Sequence, residues 1–107
     1  MDIGVWMSRG VLEHKREVTD TRGQVWNVGL LPDEFARGGG PNRLFVAVNG
    51  YWRGFFILGP EVLCNARDQD RPYTLVFDPR SWTTIGPSPA PHKGRGKGYT
   101  LQVPTPT

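Results

Sequence analysis

The chain has 107 residues, enough for one domain to bury a single core without a metal or a disulfide. Its one cysteine, Cys64, excludes an internal disulfide, no apolar run is long enough to cross a bilayer, and no charged-then-apolar leader precedes the first strand, so the reading is a cytoplasmic protein without a membrane segment. The net charge of +3 is unevenly spread: residues 1–78 hold nine Lys/Arg against ten Asp/Glu, whereas residues 79–107 hold Arg80, Lys93, Arg95 and Lys97 and no acid.

In chain order, DIGVWM at 2–7 reads as a first strand, with Ile3 and Val5 on one face and Trp6 on the other. Ser8-Arg9-Gly10 breaks it. VLEHKREV at 11–18 offers good helix formers without a full apolar stripe, and its alternation suits a short helix or an exposed strand; we read it as extended and irregular. Thr19 to Gly23 is turn chemistry, and QVWNVGLL from residue 24 is a strand. Pro32-Asp33-Glu34-Phe35 predicts one helical turn, stopped by the glycines at 38–40.

The centre is LFVAVNGYWRGFFIL at 44–58, two apolar runs hinged on Asn49-Gly50, the pair that a two-residue type I′ turn favours. Strict alternation puts Tyr51, Arg53, Phe55 and Ile57 on one face of the second strand and Trp52, Gly54, Phe56 and Leu58 on the other. Both faces are mostly apolar, so the hairpin needs cover on both sides. Gly59-Pro60 then punctuates, and a polar connection leads to a strand at 73–77 with Tyr73, Leu75 and Phe77 facing one way. Asp78 to Trp82 is a turn, TTI a brief extended piece, GPSPAP a polyproline-prone stretch, HKGRGKG a glycine/basic loop, and YTLQV at 99–103 the last strand. Six or seven short strands with one or two short helices define a mainly β fold, a small β-barrel forming one domain over residues 1–107 with a short tail at 104–107.

His14, His92 and Cys64 lie far apart without paired ligand spacing, so neither a metal nor another cofactor is expected. Ser8, His14 and Asp20 lack a nucleophile elbow, and Glu13, Glu17 and Asp20 are interleaved with Lys15, Arg16 and Arg22 as in a solvated face. These residues favour binding over catalysis. In the basic loop, alternate glycines let a backbone approach phosphate while Arg95 and Lys97 donate charged hydrogen bonds. Arg53, set among apolar neighbours, needs an acid partner or a cleft to point into.

The order of LFVAVNGYWRGFFIL, a polar connection, RPYTLVFDPRSWTTI, a Pro-rich loop and HKGRGKGYTL resembles the PUA-like superfamily, in particular its ASCH and EVE branches, over roughly residues 43–103. The resemblance implies a small barrel with Gly54-Phe55-Phe56-Ile57 at its heart. It also implies an RNA- or modified-base-binding cleft between the segment after the first strand and the late basic loop. Some ASCH proteins hydrolyse acetylated cytidine with a Lys followed three residues later by Thr, and a Glu elsewhere. Here Arg16 precedes Thr19 and Lys15 is one residue out of step, and a guanidinium does not give up its proton, so no catalytic role carries over.

The expected function is binding of RNA, single-stranded nucleic acid or a modified base or nucleotide. The site is expected at Trp6, Arg9, Trp26, Arg53, Lys93, Arg95 and Lys97, with rings to stack and cations to hold phosphate. One alternative is a protein-interaction or accessory protein whose exposed aromatics and Pro-rich tail bind another protein. The other is a hydrolase of a modified nucleoside, which needs a Lys and a carboxylate converging in one pocket.

Overall fold

The computed structural model describes residues 2–17, 24–28, 42–64, 73–92 and 98–104, with backbone only at 24–28, 60–64 and 73. The turn at 19–23, the helical turn at Pro32–Phe35, the glycines at 38–40 and the basic loop at 93–97 lie outside the described residues. The fold is mainly β, a curled half-barrel sheet with one α-helix among the described residues. The strands are β1 (Ile3–Trp6), β2 (Gln24–Val28), β3 (Arg43–Val48), β4 (Tyr51–Cys64), β5 (Tyr73–Phe77) and β6 (Thr83–Pro89), with helix α1 (Arg9–Glu17) between β1 and β2. The sheet order is β1-β3-β4-β5-β2, with β6 also on β4.

The Asn49-Gly50 hinge forms as its residue types require, with φ of 52° and 85° and Val48 opposite Tyr51. From there β4 runs for 14 residues, through Gly59-Pro60, where the sequence suggested a stop. At about 3.3 Å per residue a straight strand of that length would span about 46 Å. The molecule's longest extent is 35 Å, so β4 must bend. It does so at irregularities: between Leu58 and Val62 the register with β5 shifts, which gives Pro60 a place outside the regular ladder. The half-barrel curl follows from one long strand that serves β3 and β6 with its first half and β5 with its second.

A second irregularity overturns strict alternation. Val46 pairs with Gly54 while Ala47 pairs with Trp52, so Arg53 is an extra residue opposite nothing on β3. On the other side Trp52 pairs with Ser88 and Gly54 with Thr84, so Arg53 is also unpaired with β6, which bulges at 85–87. The bulge reverses the sides on which Trp52 and Phe56 were expected together. Trp52 joins Phe45 and Ala47 in one buried cluster, with Trp6 and Phe55 packed against it, while Phe56 joins Ile3, Val5, Leu44, Val46, Leu75 and Phe77 in the larger one. The two clusters bury both sides of the hairpin, as its composition demanded.

Residues 9–17 are helical rather than extended. Ser8 caps the helix, its hydroxyl accepting from Val11 N–H at 3.2 Å and its carbonyl from Leu12 N–H at 3.0 Å. His14, Lys15 and Arg16 in the last turn complement the dipole, and Leu12 alone is buried, in the larger cluster. The Pro-rich stretch is not a free polyproline segment through Pro89. It is part of β6, whose prolines are tolerated because, among the described residues, the strand pairs with β4 on one side only. The expected last strand is reduced to a single bridge, Thr100 to Gly4, because the Thr100 hydroxyl captures Gln102 N–H at 3.1 Å and turns the chain away.

Candidate functional site

A cleft of about 430 Å³ opens where α1, the β3–β4 turn and the bulged part of β6 meet. Three arginines line it: Arg9 and Arg16 from α1, and Arg53 from the β4 bulge. Glu13 is the acid among them, and Trp82, Ile85 and Pro87 supply apolar wall. On a helix, residues 9, 12, 13 and 16 share one face, so Leu12 anchors α1 in the core while Arg9, Glu13 and Arg16 look into the cleft beside it. Arg53 reaches the same space because the bulge releases it from both ladders. Bulges commonly re-aim a side chain in this way.

Trp82 is held from several directions. Asp78 caps the 3-10 turn Pro79–Ser81, its carboxylate accepting from Arg80 N–H at 2.9 Å. Ser81 stitches that turn to β4: its hydroxyl donates to Asp78 C=O at 2.6 Å and accepts from Ile57 N–H at 2.7 Å. The chain then delivers the half-buried Trp82, whose indole N–H donates to Thr84 Oγ1 at 3.0 Å. Its ring sits 4.8 Å from Phe56, and the Arg16 guanidinium lies 5.3 Å from the ring centroid. Hydrogen bonding from the Arg80 backbone N–H holds the Asp78 carboxyl below its ordinary range, with the Arg80 side chain adding to the effect.

Among the described residues, neither Arg16 nor Arg53 is paired with a carboxylate; Arg53 lies 5.9 Å from the Tyr51 ring. Arg9 is bonded to Glu13 at 3.2 Å, an exposed pair one helical turn apart. Cations thus outnumber acids on the cleft wall, and the three guanidiniums are exposed, so an anion reaches them directly and can accept charge-assisted hydrogen bonds. No three His, Cys, Asp or Glu among the described residues come together as metal ligands.

Of the residues expected at a site, the structure brings Arg9 and Arg53 together. Trp6 lies elsewhere, packed against the Phe45–Trp52 cluster with its indole N–H donated to Pro91 C=O at 3.0 Å. Trp26 is on β2, opposite Leu75, and its side chain lies outside the described set, as do Lys93, Arg95 and Lys97 entirely. Arg16 and Trp82 were not anticipated. The spacing of Arg9, Leu12, Glu13 and Arg16 was a signal for Arg16 once a helix is assumed, and the Asp-Pro capped turn was one for Trp82. Compared with protein-family models, curated proteins and solved structures, the chain matches none. Among the described residues no helix is long and apolar enough to cross a membrane.

Proposed function

We propose that this chain is a cytoplasmic binding domain of PUA-like architecture that takes RNA, single-stranded nucleic acid or a nucleotide-like ligand in the arginine-lined cleft. The observation that carries the reading is the convergence of Arg9, Arg16 and Arg53 with Trp82 on one hollow. Phosphate attracts guanidinium forks, and planar bases stack on rings and guanidinium planes. The cations on the wall are guanidiniums, which do not give up a proton, and this favours binding over hydrolysis of an acetylated nucleoside.

Titration of short single-stranded RNA and DNA at low salt, read by tryptophan fluorescence, tests this. Each phosphate contact on a single strand contributes about −0.7 to the slope of log affinity against log salt, so three arginine contacts give a slope of roughly −2. Arg53→Ala lowers that slope by about 0.7. Absence of any association at low salt refutes the proposal.

A further inference from the structure

We infer that the cleft selects a terminal phosphate monoester, the end of a strand or a mononucleotide, over the phosphodiester within a strand. The inference rests on the nucleic-acid reading and narrows it. A diester carries one negative charge, whereas a monoester carries about −1.5 to −2 at neutral pH and offers three strong acceptor oxygens. The cleft is built for the larger charge. Arg16 and Arg53 have no carboxylate partner among the described residues, and each guanidinium lies near an aromatic ring, at 5.3 Å from Trp82 and 5.9 Å from Tyr51. Ring contact restricts a long side chain while leaving its N–H donors for a ligand. Arg9 is a third donor in reserve, since its bond to Glu13 is a solvent-exposed helix pair that a dianion can outcompete.

Among the described residues, uncharged groups that could read a base edge are outnumbered by the arginines: Asn49 is the one side-chain amide on the wall, alongside Thr84. The Trp82 N–H is engaged by Thr84, and the Trp82 ring already meets Phe56 and Arg16. Stacking on a ring or a guanidinium plane tolerates any base, so discrimination falls to charge and to the number of phosphate oxygens. The volume of about 430 Å³ lies near the lower end of the range for small-molecule sites, about 300–1,000 Å³, which suits one nucleotide.

The test titrates three forms of one short oligouridylate at the same low salt: 5′-phosphorylated, 3′-phosphorylated and hydroxyl-ended. At least one phosphorylated form is expected to bind about tenfold more tightly than the hydroxyl-ended form. Arg16→Ala and Arg53→Ala, checked for folding by circular dichroism, should each bring that preference below about threefold. Equal affinity for all three forms, or a preference that survives in both variants, overturns the monoester inference and leaves the cleft as a general strand-binding site. Failure of every form to bind overturns the cleft reading as well.

Discussion

Replacing Gly54 by alanine should destabilise the protein, although the change adds one methyl group to a strand. A Cβ on Gly54 would run into the Thr83 carbonyl oxygen and lie 2.6 Å from Cζ2 of Trp82. The indole is held by Phe56 and by its bond to Thr84, so it cannot yield easily. The Thr83 carbonyl belongs to β6, which pairs at Gly54–Thr84 and Phe55–Thr83 on either side of the clash. Relief requires β6 to shift, loosening one or two ladder hydrogen bonds of about 1 kcal/mol each, and overpacking of this kind typically costs about 1–3 kcal/mol. At about 4 °C per kcal/mol for a domain of this size, Tm should fall by about 4–12 °C. Urea denaturation followed by circular dichroism measures the loss. Gly10→Ala is the internal control: a Cβ there meets nothing within 4 Å, and the site is helical, so the same substitution should stabilise by up to about 1 kcal/mol. A Gly54→Ala protein within about 0.5 kcal/mol of the parent would refute the packing of Trp82 against the β4 backbone and, with it, the geometry of the cleft wall.

Ser8→Ala removes the α1 cap and should lower stability by about 1 kcal/mol in urea titration, with the helical band at 222 nm weakened on the way to unfolding; no change would mean the helix is held by Leu12 alone. Asp78 gives a pH signature. Its folded-state pKa lies below the ordinary value, so the unfolded chain binds the proton more readily and the carboxylate's stabilisation, complete above the usual range, is lost as pH falls through the folded-state value. Asp78→Asn should therefore have a lower urea midpoint than the parent at about pH 6, and the gap should narrow by about pH 3; a gap that does not change with pH would remove the charge from the account.

Some elements were legible because their signal is local. Asn49-Gly50 needs positive φ at both residues, so the hinge could be read from two letters, and the apolar runs beside it announced burial on both sides. β1, β2 and β5 followed from alternation of the same kind. Helix α1 was not legible by that method, because its inward stripe of Arg9, Leu12, Glu13 and Arg16 is mostly charged: it faces a cleft, with only Leu12 in the core. The capping Ser8 looked like a chain break for the same reason that it caps, since its side chain competes for backbone N–H groups.

Residue chemistry alone determined the hinge and the mainly β character, whereas the expected need of Arg53 for a cleft or a counter-charge fell away because the side chain is exposed. Tertiary structure decided where Arg53 points. A bulge depends on two strands disagreeing in length with a third, and that mismatch among β3, β4 and β6 appears in no single segment. The same long-range pairing placed Trp6 on the far cluster, bonded to Pro91 across 85 residues, and Trp82 beside Arg16 from the opposite end of the chain, partners that no local periodicity can report. Sheet curvature is a property of a strand forced to bend within a molecule shorter than itself, and only the assembled fold imposes it.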